Sequence, residues 1–197
     1  MKKLLLTTLI AVGLGLSAQG AFAEEPSAAK STNAGLLTVT GSVNDTTCLI
    51  NGQENGDLIV ELPPVSTTVL NAQGKTAGTT AFTLELTNCQ SATQKLAKKV
   101  GAFFVNESDK VTADGKLLNK PDSGDAAQYV VVQLLHGDDT VIDITNPYNK
   151  QTPEGKKVSM NSSEGKATLR YKARYYATGV ATAGVVKSTV NYTIAYE

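Results

Sequence analysis

Few side chains in this sequence have the chemistry of an active site. The 197 residues include one histidine, His136, and two cysteines, Cys48 and Cys89. One imidazole and two thiols leave few ligands for a zinc site. His136 precedes Gly137 at the end of an apolar stretch, so we expect it at the surface end of a strand rather than in the role of a general base.

Other motifs of catalysis and binding are equally weak. The sequence has no GxSxG nucleophile turn and no glycine-rich phosphate loop. Asp138 and Asp139, and the acidic residues between 109 and 125, do not match the spacing of a calcium-binding loop. The 18 basic and 18 acidic residues give a formal net charge of zero, which argues against a nucleic-acid partner. We therefore predict no enzyme activity, cofactor, metal or small-molecule substrate.

The N-terminus has the pattern of an export signal. Two lysines precede an apolar run from residue 4 to residue 16, and Ala21-Phe22-Ala23 offers a small-x-small cleavage site. The run is shorter than the ~20 residues that span a bilayer, so a retained membrane anchor is the weaker alternative. We predict a signal peptide at residues 1–23, with cleavage between Ala23 and Glu24.

Export gives the two cysteines a structural role. In an oxidising compartment an even pair has one possible connectivity, so we predict a disulfide between Cys48 and Cys89. Reactive thiols are the alternative, but the two residues are too far apart in sequence for a CxxC redox motif.

The rest of the sequence has the pattern of β-strands separated by turns. Helical periodicity occurs only around residues 91–99, whose lysines we interpret as a solvated surface turn. Short strands at this spacing, with a bridging disulfide, predict an all-β antiparallel sandwich of immunoglobulin-like type. The predicted strands are residues 37–43, 58–62, 79–86, 100–105, 129–135, 140–144, 167–176 and 185–196.

Alternation is strongest at the two ends of the mature chain. Apolar or small residues occupy every second position in both segments, so each strand has one apolar face. They are Leu37, Val39, Gly41 and Val43 near the start, and Val190, Tyr192, Ile194 and Tyr196 near the end. Periodicity alone leaves open that both are ordinary half-buried strands of one closed sandwich.

The order of these segments resembles the chaperone–usher pilins of the type 1 major fimbrial family. LTVTGSVNDTTC (residues 37–48) is similar to the family's N-terminal donor strand, and FTLELTNC (residues 82–89) to the strand that carries its second cysteine. Residues 173–197 resemble its closing segment, with Gly184 fourteenth from the end and Tyr196 penultimate. One departure is Pro63-Pro64, where the family pattern has a glycine and a polar residue; two prolines put that strand boundary in doubt.

The resemblance implies an incomplete immunoglobulin-like sandwich that lacks its last strand and is completed by donor-strand complementation. Residues 24–44 would be an N-terminal extension with the donor strand, and residues 45–197 the pilin domain. Leu37, Val39 and Val43 would enter a neighbour's groove, and Gly41 would fit a shallow pocket. The groove and the surface recognised by the chaperone would comprise Gly184, Val190, Tyr192, Ile194 and Tyr196.

The implied function is structural: a secreted subunit of a fimbria (pilus shaft) that supports cell adhesion. Its partners would be identical or related pilin subunits, a periplasmic chaperone and an outer-membrane usher. The chain would travel through the periplasm to the cell surface. The alternative is a minor adapter or tip pilin with a glycan- or surface-binding role, and a disulfide-bonded periplasmic enzyme is a weaker one.

Overall fold

The computed structural model describes residues 37–39, 46–91 and 96–197. The chain divides into two units, Met1–Gly41 and Ser42–Glu197, and the strands among the described residues belong to the second. These strands are β1 (Thr47–Ile50), β2 (Thr76–Gln90), β3 (Lys99–Phe104), β4 (Val130–His136), β5 (Val158–Ser159), β6 (Ala167–Ala177) and β7 (Tyr192–Tyr196). Short helical segments are α1 (Tyr148–Gln151) and two 3₁₀ turns, Thr67–Leu70 and Glu154–Lys156.

The strands form two antiparallel sheets. The first has the order β1-β2-β6-β4 and the second the order β5-β3-β7. Their long central pair, β2 with β6, places Leu84 opposite Leu169 and Leu86 opposite Ala167. All four side chains are buried. Antiparallel sheets with one buried face each make a sandwich, which confirms the predicted all-β class.

The larger of two hydrophobic clusters is the main core, which lies between the sheets. From β3 it takes Val100, Ala102 and Phe104, which alternate along the strand and are at most 3% exposed. Phe104 meets the ring of Tyr171 edge-on, with 5.4 Å between the ring centroids. Because these residues point inward at every second position, the register of β3 is fixed, and a slip by one residue would expose them.

The disulfide between Cys48 and Cys89 is present and joins β1 to the end of β2. The two residues pack against the same core, Cys89 as a buried side chain and Cys48 as a half-buried one. The cross-link closes a loop with a sequence separation of 41. That loop carries the whole segment between β1 and β2, so the bond holds the start of this segment against the sandwich.

Four predicted strands are confirmed and one is wrong. Residues 79–86, 100–105, 129–135 and 167–176 match β2, β3, β4 and β6 to within a few residues, apart from the longer start and end of β2. Residues 140–144 form no strand; only Val141 bridges Leu135. After the turn at Asp139, whose φ is 71°, the Asp143 carboxylate accepts from the Thr145 amide at 2.9 Å, and this local bond favours a turn.

Two other predicted strands are shorter or unpaired. Residues 58–62 have no ladder partner among the described residues and stay as an isolated extended segment. Of residues 185–196, only β7 is a regular strand. Before it, Val185 makes a parallel bridge to Ala126. Both segments reach the same region of the sandwich, which is the candidate site described below.

The predicted surface position of His136 is wrong. The side chain is only 5% exposed, its Nε2 lies 2.8 Å from the Gln151 carbonyl oxygen, and its ring packs 5.8 Å from that of Tyr171. The whole of β4 is buried because the segments around Leu117 and Val141 cover its second edge. Burial lowers the pKa of His136 below its ordinary value of 6.5.

The segment with the weak helical pattern, residues 91–99, is described only in part. Residues 92–95 lie outside the described residues, Lys98 is exposed, and Lys99 begins β3. In the described ranges, no helix is long and apolar enough to cross a membrane.

Candidate functional site

The last strand lies at the edge of the smaller sheet. Strand β7 pairs with β3, from Val100 opposite Tyr196 to Phe104 opposite Tyr192. Within the described residues, nothing pairs with its other edge. An edge strand presents a row of free backbone donors and acceptors and is a template for another strand.

The hydrogen-bond pattern identifies which backbone groups face the open edge. The Lys99 and Glu197 residues exchange two backbone bonds, of 2.9 and 2.8 Å, and the Val105 amide donates to the Asn191 carbonyl at 2.8 Å. Because bonded and non-bonded pairs alternate in an antiparallel ladder, Thr193 and Ala195 also bond to β3. The N–H and C=O groups of Tyr192, Ile194 and Tyr196 therefore point away from β3.

The same three residues place their side chains against the core. Tyr192, Ile194 and Tyr196 are half-buried and pack on the main core, as does Val190, whereas Thr193 between them is exposed. Burial raises the pKa of both tyrosines, and the nearby charge of Asp57 also raises that of Tyr192. The edge is thus apolar on one face, and its outward backbone groups have no partner in the part of the chain that the structure describes.

The extended segment at residues 57–65 lies across from this edge. None of its backbone groups hydrogen-bonds to another described backbone group, yet Leu62 packs on the same core as β7. The Tyr192 hydroxyl donates to the Gly56 carbonyl, so one side chain joins the two rims. Segment 57–65 and β7 therefore contact the same core, and we refer to the strip of core between them as the groove.

A cavity of about 460 Å³ opens next to Gly184, where the terminal segment approaches β7. Its walls are mostly apolar and come from β4 and β6 of the first sheet, from the end of segment 57–65 with the 3₁₀ turn after it, and from the terminal segment before β7. The lining residues are Pro64, Val65, Ser66, Thr67, Leu70, Ala127, Val130, Tyr175, Ala181, Thr182, Ala183, Gly184 and Val186.

Glycine at position 184 is required by a close backbone approach. Its φ is +155°, and a Cβ there would lie 2.6 Å from the Asp125 carbonyl oxygen. The next residue, Val185, donates to that same oxygen at 2.8 Å and accepts from the Ala127 amide at 3.0 Å. Gly184 therefore lets the terminal segment dock on residues 125–127 before it continues into β7.

The predicted donor residues fall partly outside the described residues. Leu37 and Val39 are 85% and 84% exposed. Gly41, Val43, Ala23 and Glu24 lie outside the described ranges. Of the predicted groove residues, Val190, Tyr192, Ile194 and Tyr196 pack on the main core, whereas Gly184 lines the cavity.

Sequence reasoning missed the opposite rim and the cavity. The alternation of Leu58, Val60 and Leu62 predicted a strand there but not its lack of a partner. The cavity residues come from distant parts of the chain, and no local pattern connects them.

A second, smaller cavity of about 240 Å³ lies beside His136, Lys156 and Arg170. No group of three His, Cys, Asp or Glu residues within the described ranges could hold a metal ion.

An apolar groove beside an unpaired strand edge has a definite binding chemistry. It can accept an extended chain that supplies backbone hydrogen bonds along β7 and apolar side chains at every second position. Backbone pairing does not depend on sequence, so specificity must come from the alternating side chains.

Comparisons with known proteins agree with this geometry. The family model of type-1 fimbrial protein A (FimA) matches residues 62–197. The F17 fimbrial protein of Escherichia coli is 41% identical over 164 residues, which are 83% of this chain and 87% of that protein. The major fimbrial subunit SMF-1 of Stenotrophomonas maltophilia is 36% identical, over 82% of this chain and 92% of its own.

Among solved structures, a subunit of a pilus has a similar fold. A subunit from the structure of a chaperone–usher pilus superimposes with a TM-score of 0.54 at 19% identity, covering 84% of this chain and 97% of that one. The sandwich is therefore of the incomplete immunoglobulin-like pilin type. The chain belongs to the type-1 fimbrial protein A family, and it is a structural subunit of a fimbria at the cell surface.

Proposed function

We propose that this subunit builds the fimbrial shaft by donor-strand exchange, in which residues 37–43 of one copy fill the groove of another. The observation that carries the proposal is the open edge of β7. Among the described residues, the outward backbone groups of Tyr192, Ile194 and Tyr196 have no strand partner, and their side chains lie half-buried on the core.

The donor residues match the groove in chemistry. Leu37, Val39 and Val43 recur at every second position, as a strand with one buried face requires. Burial of these three side chains is worth about 5–9 kcal/mol in total, at roughly 1.5–3 kcal/mol each. Hydrogen bonds to the edge of β7 would add about 0.5–1.5 kcal/mol each.

Gly41 lies in the same register without a side chain to bury. A donor strand with a glycine there comes close to the groove floor and leaves a gap in the apolar contact. The cavity beside Gly184 lies at the start of the terminal segment and is large enough to receive an apolar side chain. We propose that exchange begins where contact is incomplete, since a competing strand can enter there first.

Before assembly the groove needs a temporary partner. An apolar groove with a free strand edge is an aggregation hazard, and a periplasmic chaperone that lends its own strand would cover it. An outer-membrane usher would then order the exchange between subunits. In this scheme the signal peptide, residues 1–23, is removed between Ala23 and Glu24. Residues 24–44 serve a neighbour, and residues 45–197 form the pilin domain.

A major shaft role is supported more than a minor adapter or tip role. Relatives that align with the full length of this chain are named major fimbrial subunits, including one from Haemophilus influenzae at 33% identity. A minor fimbrial subunit of the same organism is 32% identical, over 74% of its own length. The ratio of this subunit to others in purified fibres separates the two roles.

Substitutions in the donor strand test the exchange. Val39→Asp places a charge on the apolar face, so fibres should be absent when the variant is expressed with its chaperone and usher, while the chaperone-bound subunit still folds. Thr38→Asp is the matched control, because it adds the same charge on the polar face and should leave fibres intact. Normal fibres from Val39→Asp would reject the donor-strand assignment.

A further inference from the structure

Two charged strips with the same spacing lie on different faces of the sandwich, and the described residues of the same subunit neutralise neither of them completely. The first is on segment 57–65, outside the groove. The second is on the outer face of β6. We propose that the acidic strip of one subunit binds the basic strip of a second copy of this chain, a lateral contact in the fibre that is separate from donor-strand exchange.

The acidic strip consists of Asp57, Ile59 and Glu61. All three are exposed, Ile59 to 87%, while Val60 and Leu62 between and beside them are half-buried. Asp57 accepts from the Asn55 side-chain amide at 2.9 Å. Neither carboxylate forms an ion pair with a described residue. From residue 31 to residue 74 the sequence contains no lysine or arginine.

The basic strip consists of Arg170, Lys172 and Arg174. These residues alternate along β6 with Leu169, Tyr171 and Ala173, which are buried, so the cations share the outer face. Arg170 is exposed and has no ion pair or side-chain hydrogen bond with a described residue. Arg174 donates from Nε and Nη2 to the Gln133 Oε1 atom, at 2.9 and 2.7 Å. Those contacts use two of its five donors and neutralise no charge.

Carboxylates near the basic strip offset only part of its charge. Asp139 pairs with Lys172 at 2.8 Å. Glu85 lies opposite Thr168 on β2, one position along the face from Arg170, and forms no ion pair within the described ranges. Arg170 and Arg174, at the two ends of the strip, therefore lack carboxylate partners among the described residues.

The spacing of the two strips is complementary. Asp57 and Glu61 are four residues apart in an extended segment, and Arg170 and Arg174 are four residues apart in a strand, so each pair spans about 13 Å. Between the carboxylates stands the exposed Ile59. Between the arginines stand the aliphatic stem of Lys172 and, opposite it on β2, the small exposed Ala81. An isoleucine can pack there while two carboxylate–guanidinium pairs form on either side.

Both strips belong to the same chain, so the contact is heterologous. A heterologous contact repeated without closure generates a helical array. A single exposed ion pair contributes little, but copies already joined end to end meet at high effective concentration, which makes a weak lateral contact effective. The inference rests on the proposed function. Donor-strand exchange would join the subunits into a linear polymer, and the lateral contact would coil that polymer into a helix.

Charge reversal separates this contact from polymerisation. Asp57→Lys/Glu61→Lys and Arg170→Glu/Arg174→Glu should each still give polymers of normal subunit number, but with wider spacing or open coils in electron micrographs. Combining all four substitutions restores the opposite charges and should restore the wild-type fibre width. Lys75→Glu/Lys150→Glu is the control, because it reverses two exposed cations that form no ion pair with a described residue, and it should leave the fibre width unchanged.

Zero-length carbodiimide cross-linking supplies the direct test. In wild-type fibres grown from a mixture of ¹⁴N and ¹⁵N subunits, Lys172 should be linked to Asp57 or Glu61 of a different copy. Raising the salt from about 0.05 M to about 0.5 M should reduce the yield several-fold, because exposed charges are screened. Fibres of unchanged width in both reversal variants, or Lys172 linked only within its own copy, would overturn the inference. Absence of any wild-type polymer would instead reject the proposed function.

Discussion

Removal of the Cys48–Cys89 bond should destabilise the subunit by about 4 kcal/mol. The sequence separation of 41, entered into the chain-entropy expression for a cross-linked unfolded chain, gives this value. Domains of ordinary size unfold at about 5–15 kcal/mol, and this one lacks a strand, so the loss is a large share of the total. The bond also anchors β1, from which segment 57–65 extends.

Equilibrium unfolding in urea measures the effect. The monomeric subunit is compared with Cys48→Ala/Cys89→Ala, and tyrosine fluorescence follows unfolding because the chain has seven tyrosines and no tryptophan. Reduction of the wild type without substitution is the control, and it should lower the free energy of unfolding by the same amount. A loss below about 1 kcal/mol in either experiment would refute the entropic account.

Three further predictions concern single side chains. Tyr192→Phe removes the bond to the Gly56 carbonyl and should lower the free energy of unfolding by about 1 kcal/mol, whereas Tyr129→Phe, at a 61% exposed residue, should not. Gly184→Ala should cost about 1–3 kcal/mol and lower the yield of the chaperone complex, because its Cβ would collide with the backbone; full yield would contradict this. The lowered pKa of His136 favours its neutral form in the fold, so its contribution to stability should be full above pH 6.5 and be lost as the pH falls below 6.5 and through the lowered pKa. His136→Gln should flatten that part of the profile, and an unchanged profile would exclude His136 as the cause.

The two ends of the chain show how far sequence alone could go. Alternation at Val190, Tyr192, Ile194 and Tyr196 correctly identified the residues that face the core. Periodicity could not show that β7 is an edge strand, because the pattern of a half-buried strand is the same with one neighbour or two. That distinction came from the family resemblance, and the sheet order now agrees with it.

Segment 57–65 illustrates the opposite case. Its alternation predicted a strand, but a strand needs a partner to form a ladder, and the described residues of the same copy provide none. Pro63 and Pro64 remove two backbone donors and limit pairing further. Local pattern therefore identified the correct extended backbone and the wrong state of pairing, because pairing is set by tertiary context.

The prediction of a surface position for His136 failed for a related reason. A polar residue beside Gly137 has the appearance of a strand end, and the strand does end there. Its burial comes from Gln151 on α1, fifteen residues later, which offers its carbonyl oxygen to the imidazole. The side chain of Gln151 is itself buried. Its Oε1 atom accepts from the Phe104 amide, and its Nε2 atom donates to the Phe104 carbonyl oxygen. No pattern around residue 136 encodes such a distant hydrogen-bond network.

Hydrogen exchange of the β7 amides tests the central claim most directly. In the monomeric subunit, the amides of Thr193 and Ala195 should be protected by β3, while those of Tyr192, Ile194 and Tyr196 should exchange quickly. In assembled fibres all five should be protected, because a donor strand then covers the open edge. Equal protection of the three outward amides in monomer and fibre would contradict donor-strand completion of the groove.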